Sequence, residues 1–94
     1  MTGVDGAWAI TKVRVDTEPV NDREGFERLV VTPNRIAIEP AGIEFSVNQS
    51  TSRSAVLESR SQIFFAEYFT RDGELTFELS RPAFNEKVRL SAEK

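Results

Sequence analysis

The sequence has neither cysteine nor histidine among its 94 residues. Without cysteine it can form no disulfide and offers no thiolate, and without histidine it lacks the commonest general base and metal ligand near neutral pH. It also has no glycine-rich loop between a strand and a helix, so we expect no phosphate-binding loop. We therefore predict no enzymatic activity, no metal and no cofactor.

Charge and hydropathy exclude two further kinds of partner. Twelve lysines and arginines stand against fifteen aspartates and glutamates, for a net charge of -3, and the basic residues form no stripe that would neutralise phosphates. Apolar runs such as Ile63 to Ala66 are far shorter than the ~20 residues that cross a bilayer. We predict no nucleic-acid binding and no membrane span. Residues 1–10 show no signal-peptide pattern, so the cytoplasm is the default expectation and export stays open.

The composition, 39% hydrophobic and 29% charged, is that of an ordinary globular protein, and the length predicts a single domain over residues 1–94. Apolar residues alternate with polar ones along most of the chain, and turn residues interrupt them at short intervals. This pattern predicts an all-β fold in which eight strands form an antiparallel meander. A closed or nearly closed barrel is expected, because closure removes exposed strand edges.

The segment "TEPVNDREGFE" has no clear period and leaves room for a helical turn near residues 20–26, capped by Asn21. In the middle of the chain, "RLVVTPNRIAI" predicts a hairpin that turns at Pro33-Asn34. A second two-residue turn in "IEPAGIEF" would pair Ile38 with Phe45. It would also set the carboxylates of Glu39 and Glu44 opposite each other on the outer face, where we expect solvated side chains rather than a cation site.

The strand from 62 to 70 fits two registers. A two-residue turn at Asp72-Gly73 faces Ala66 and Tyr68 inward, whereas a three-residue loop at 71–73 reverses every side chain of the strand. We favour the first register because it leaves the Glu67 carboxylate in water, and an unpaired buried charge costs several kcal/mol. It also creates an outer apolar patch, suited to a homodimer or a protein partner unless the segment "VNDREGF" covers it. That patch comprises Val56, Phe65 and Phe69.

The chain resembles the lipocalins and the wider calycin group in its Gly-x-Trp pattern, Gly6 to Trp8, at the start of the first strand. It is similar to small bacterial lipocalin-like domains of unknown function in "GAWAITKVRVDTEPV", "LVVTPNRIAI", "YFTRDGELTFEL" and a final strand like "KVRLSAEK". The resemblance implies a small lipocalin-like barrel, with Trp8 at the closed end beneath Arg89 of the last strand. Alternation points Arg89 outward. Either a bulge in that strand turns Arg89 towards Trp8, or Lys94 supplies the cation in its place.

Two functions follow from a barrel of this kind. In one, the interior is filled by side chains and the domain is a structural or protein-interaction module that acts through its surface. In the other, the mouth binds a small apolar ligand. The lining of that mouth would comprise Phe45, Val47, Tyr68 and Phe77, with Arg53 meeting a polar or acidic head group. We favour the first function, because the inward residues are mostly leucine, isoleucine, valine and phenylalanine, which would fill a small barrel.

Overall fold

The structure is a computed structural model that describes residues 4–16, 18–21, 24–81 and 84–94. These ranges hold nine strands: β1 (Gly6–Val15), β2 (Glu18–Pro19), β3 (Phe26–Val31), β4 (Arg35–Pro40), β5 (Ile43–Ser50), β6 (Ser54–Ser59), β7 (Gln62–Arg71), β8 (Glu74–Arg81) and β9 (Phe84–Glu93). Across the described ranges there is no helix that is long and apolar enough to cross a bilayer.

Eight of these strands close into an antiparallel barrel. From β3 to β9 each strand pairs with the next, and β1 pairs with β3 through residues 6–9 and with β9 through residues 9–15. The remaining strand, β2, consists of two residues that pair with the end of β1. The predicted all-β barrel of eight antiparallel strands is therefore confirmed, and β2 is an addition that the alternation pattern did not reveal.

The helical turn expected near residues 20–26 falls partly on residues 22 and 23, which lie outside the described ranges. The described residues on either side form β2, a bend and a turn instead of a helix. The backbone N–H of Val20 donates to the Val13 carbonyl, and the Gly25 carbonyl accepts from Ala41. Gly25 has φ +87°, and a Cβ there would lie 3.2 Å from the Cβ of Ala41, so the close approach of this segment to the β4–β5 turn requires glycine.

The register predicted for β7 is confirmed. Tyr68 pairs with Phe77 and Ala66 with Leu79, across a turn whose central residues are Asp72 and Gly73. Both central residues have positive φ, 53° and 79°, as the mirror-image type I turn of a tight hairpin requires. Ala66 and Tyr68 are each 1% exposed, so alternate residues of β7 build the core while the residues between them face solvent.

The register predicted for the β4–β5 hairpin is wrong by two residues. Ile38 pairs with Ile43 rather than with Phe45, which lies opposite Ile36. A tight turn at 41–42 would need the backbone N–H of Pro40 as a donor, and proline has none. The hairpin instead closes through a longer connection, in which the Ala41 N–H donates to Gly25. Because the shift is an even number of residues, the apolar side chains stay on the inner face.

This shift separates the two carboxylates that the predicted register placed together. Glu44 lies opposite Ala37 and accepts a hydrogen bond from Arg35, while Glu39 forms an ion pair with Arg28 at 3.3 Å. Both pairs are largely exposed and stabilise the fold only slightly. Within the described ranges, no cluster of three or more aspartate or glutamate side chains could hold a metal ion.

Two of the β-bulges, in β1 and β3, change which side chains face inward. In β1 the ladder to β9 gains an extra residue between Ile10 and Lys12, so that Val13 is buried and Lys12 is exposed. A second bulge in β3 lies between Phe26 and Arg28, and there Phe26 packs against the core. Each bulge reverses the alternation in the strand that carries it, and the second one brings an aromatic ring to one end of the barrel.

Candidate functional site

The two ends of the barrel differ. The end at which β1 begins, here called the closed end, is filled by Trp8, which is 3% exposed. The indole Nε1 of Trp8 donates to the Val4 carbonyl at 2.9 Å. The Lys94 Nζ lies 4.9 Å from the ring centroid and donates to the Asp5 carbonyl at 3.0 Å. The ring is thus held by packing, a hydrogen bond and a cation–π contact, with no exposed face for a ligand.

Lys94, and not Arg89, supplies the cation over Trp8. Strict alternation in β9 turns Leu90 inward, and Arg89 projects from the outer face, where its guanidinium donates to Glu78 at 2.8 Å. The backbone at Gly6 has φ +124°, and the Lys94 side chain passes 3.4 Å from the position of a Cβ there. Glycine at this position therefore allows both the backbone conformation and the close approach of the lysine.

Tyr68 and Phe77 fill the barrel behind Trp8 instead of lining a mouth. Both are 1% exposed, and their rings stack with centroids 6.2 Å apart. The Tyr68 hydroxyl donates towards the carbonyls of Thr51, at 2.6 Å, and Ser54, at 2.9 Å. Burial raises the pKa of Tyr68 above its usual value, and the negative charge of Asp5 raises it further. The pair therefore belongs to the core of the closed end.

The other residues predicted to line a mouth are separated from one another. Arg53 is exposed in the connection between β5 and β6, at the closed end, where its carbonyl accepts from the Tyr68 N–H. Val47 is half-buried against the core. Of the five predicted residues, Phe45 alone lines the cavity at the opposite end of the barrel.

That cavity lies at the opposite end of the barrel, here called the open end, and has a volume of about 760 Å3. Pockets for small molecules usually measure roughly 300–1,000 Å3. The apolar lining comes from both sides of the barrel and comprises Phe26, Ile38, Ile43, Phe45, Phe64, Leu79, Val88 and Leu90. The rings of Phe45 and Phe64 meet edge to face with centroids 5.2 Å apart, which gives the cavity one firm aromatic wall.

The cavity also opens sideways between β5 and β6. These strands pair from Ser46 and Glu58 to Ser50 and Ala55, and towards the open end β5 extends past that ladder, from Ile43 to Phe45, without pairing to β6. The lining includes Phe45, which faces inward, and Glu44, which faces outward. The cavity therefore extends from the interior to the outer face of the barrel beside the end of the β5–β6 ladder, and this lateral opening is here called the slot.

Charged side chains surround this slot, and most of them have partners. Glu44 is paired with Arg35, and the Glu58 carboxylate accepts from Asn48 at 3.3 Å. Arg81 lies over the Phe64 ring, 5.8 Å from its centroid, and donates to Gln62. Arg60 borders the slot at the tip of the β6–β7 hairpin.

Sequence reasoning missed Phe26 and Arg60 as site residues. Phe26 has the wrong parity for its strand, and only the bulge at Glu27 turns it towards the cavity. The one signal for Arg60 in the sequence is its position between two alternating segments, which indicates a turn but not a cavity beside it. Phe64 lies two residues before Ala66, so the favoured register of residues 62–70 also turns it inward, as the structure shows, but a filled interior was expected around it.

The predicted outer patch is present on β6 and β7. Val56 pairs with Phe65 and is half-buried, whereas Phe65 and Phe69 are 45% and 54% exposed. The described residues of the segment "VNDREGF" contact β1 and the β4–β5 turn rather than this patch. The apolar surface of the patch therefore faces solvent in the described part of the chain.

No protein family matches this sequence, and neither a curated protein nor a solved structure matches it. The function must therefore be argued from geometry. An apolar cavity with charged side chains at its edge is suited to noncovalent binding of a small molecule.

Proposed function

We propose that the protein is a lipocalin-like barrel that binds a small apolar molecule at its open end. The observation that carries this proposal is the cavity of about 760 Å3, opposite an end that Trp8 closes. A barrel filled throughout by its own side chains would leave no such space. The half-buried state of Phe26, Phe64 and Leu79 supports the same function, because these side chains retain apolar surface that a ligand could remove from water.

The expected affinity is modest. Each methylene group moved from water into an apolar site contributes about 0.8 kcal/mol, while association itself costs at least ~4 kcal/mol. A ligand with about ten methylene groups would then gain at most ~4 kcal/mol, which corresponds to a dissociation constant in the millimolar range. This range sets the protein concentrations that a binding experiment needs.

Filling the cavity is expected to abolish binding. Leu79 lines the cavity, and the Leu79→Trp substitution would occupy much of the space with an indole ring. We expect the affinity for the neutral fluorescent probe N-phenylnaphthylamine to fall at least tenfold, since losing roughly 1.4 kcal/mol of contact is enough for that change. Probe fluorescence would be measured during a titration with protein.

The matched control is Thr76→Trp, which adds the same ring to the outer face of the same strand. Circular dichroism would establish that both variants are folded. Equal affinity of wild type and Leu79→Trp for the probe would show that the probe occupies some other surface. That result would contradict the proposed function.

The outer patch favours a second candidate function, which we propose as self-association. Phe65 and Phe69 project from the same face of β7, and Val56 extends the patch on the neighbouring strand. An isologous dimer would bury the patch of one copy against the same patch of another. This function uses a different surface from the cavity, so the two are compatible.

Introducing a charge into the patch tests this candidate. A buried unpaired carboxylate costs several kcal/mol, so Phe69→Glu is expected to raise the dimer dissociation constant roughly a hundredfold. Sedimentation velocity would measure it. Ala9 is exposed on β1, so Ala9→Glu adds the same charge outside the patch and should leave association unchanged. A wild-type chain that is monomeric at high concentration, or a Phe69→Glu variant that still dimerises, would overturn this candidate.

A further inference from the structure

The turn between β6 and β7 has a backbone conformation that its two central residues disfavour. Its central residues, Arg60 and Ser61, have φ of 52° and 66°, so both lie in the left-handed region. Such turns favour asparagine, aspartate and glycine, because a larger side chain is disfavoured at positive φ. The β7–β8 hairpin follows that rule with Asp72 and Gly73.

Arginine at this position is therefore poorly suited to the fold. Among the described turns in which both central residues have positive φ, this one alone has no asparagine, aspartate or glycine. Residues in disfavoured backbone conformations cluster where function requires a particular side chain. The position of Arg60 beside the cavity gives a reason for its presence.

Arg60 also differs from the other charged side chains around the slot. Glu44 is engaged by Arg35 and Glu58 by Asn48, whereas within the described ranges no carboxylate lies within ion-pair distance of Arg60. Its guanidinium carries five N–H donors in a planar fork that matches a carboxylate or phosphate. The slot thus offers an unused cation at the edge of an apolar cavity.

We propose that Arg60 binds the anionic head group of the ligand, which is an amphiphile with a single apolar chain. This inference rests on the proposed function and specifies its ligand. The apolar chain lies against the Phe45 and Phe64 side of the cavity, and the head group stays at the lateral slot between β5 and β6, where water still reaches it. The slot lets a charged group remain hydrated while the chain is buried, which avoids the cost of burying an ion.

A pair of matched probes tests this assignment. Decanoate and decanol have the same chain length and differ in charge, and each would be titrated into labelled protein below its aggregation concentration and followed by amide chemical shifts. For Arg60→Gly we expect a roughly tenfold loss of decanoate affinity, because a charge-assisted bidentate contact is removed. Decanol affinity should not change.

The same substitution should make the fold more stable, because glycine accepts positive φ without penalty. We expect the Tm of Arg60→Gly to rise by a few degrees. The control is Ser61→Gly, which relieves the same turn and keeps the guanidinium, so its Tm should rise while its decanoate affinity stays at the wild-type value.

Three results would overturn the assignment. If decanol and decanoate bind wild type with equal affinity and Arg60→Gly changes neither affinity, Arg60 does not bind the head group, although the cavity still binds apolar chains. If Arg60→Gly lowers the Tm, the arginine serves the fold. If neither probe binds wild type, the proposed ligand-binding function fails together with this inference.

Discussion

Replacing Trp8 with alanine is expected to lower the free energy of unfolding by about 3–5 kcal/mol. The indole is 3% exposed, so the substitution leaves a large cavity at the closed end, and neighbouring side chains can fill it only in part. It also removes the hydrogen bond to Val4 and the contact with Lys94. Domains of this size are stable by about 5–15 kcal/mol, so the variant should be close to unfolding at room temperature.

Urea denaturation followed by circular dichroism would measure this loss, since the variant has no tryptophan to report by fluorescence. Trp8→Phe keeps an aromatic ring but loses the N–H donor, and it should be destabilised less than Trp8→Ala. Lys94→Met retains the aliphatic contact and removes the charge, and an exposed cation–π contact contributes only ~0.5–1 kcal/mol. A loss below 1 kcal/mol in Trp8→Ala would contradict the role of Trp8 as the plug of this end.

Removing the Tyr68 hydroxyl is expected to destabilise the protein by about 1–3 kcal/mol and to change how stability depends on pH. In Tyr68→Phe the ring stays stacked on Phe77, but the Thr51 carbonyl loses the hydroxyl donor, while the Ser54 carbonyl keeps its bond from the Thr51 N–H. Thermal and urea unfolding at neutral pH would give the size of the loss. Phe77→Tyr would be an unsuitable control because it buries a new hydroxyl, whereas Thr70→Val removes an exposed hydroxyl and should be neutral.

The pH dependence follows from the direction of the pKa shift. Burial raises the pKa of Tyr68 in the folded state, whereas in the unfolded chain it titrates near 10. The folded state therefore holds the phenolic proton more tightly. Its contribution to stability is complete below about pH 10 and is lost as the pH rises from the unfolded pKa through the folded pKa.

Tyr68 is the single tyrosine of the chain, so phenolate absorbance during an alkaline titration reports this residue alone. We expect its midpoint to lie above that of the urea-unfolded protein. The difference in unfolding free energy between wild type and Tyr68→Phe should shrink above pH 10. A midpoint at or below the unfolded value would contradict the burial of the hydroxyl.

The fold followed from local patterns in the sequence because most strands alternate and most turns are short. The β7 register could be predicted from a single charged residue, because the other register would have buried the Glu67 carboxylate. The β4–β5 register could not be predicted from the Ala-Gly turn alone. It depends on Pro40, which lacks a donor, and on a contact with Gly25 that is distant in sequence. Bulges such as the one beside Thr11 leave no mark that single-sequence periodicity can detect.

Prediction of the site was less complete, because a cavity depends on how opposite strands of a barrel are spaced. Alternation identified most of the inward residues, although not Phe26, and could not show which of them meet. Tyr68 and Phe77 were expected at a mouth and lie in the closed half, because nothing in an alternating pattern says which end of a strand is filled. The resemblance predicted a buried Trp8, which the structure contains, but left its cation open between Arg89 and Lys94, and the geometry of β9 places Lys94 over the ring.

The pairing of β1 with β9 has a consequence for how the chain reaches its native state. The hydrogen bond from the Thr11 hydroxyl to the Ser91 carbonyl joins residues 80 positions apart, so the barrel cannot close before nearly the whole chain is available. Such distant contacts slow folding, and until they form both β1 and β9 are unpaired strand edges. The interval before closure is when this chain is most exposed to aggregation.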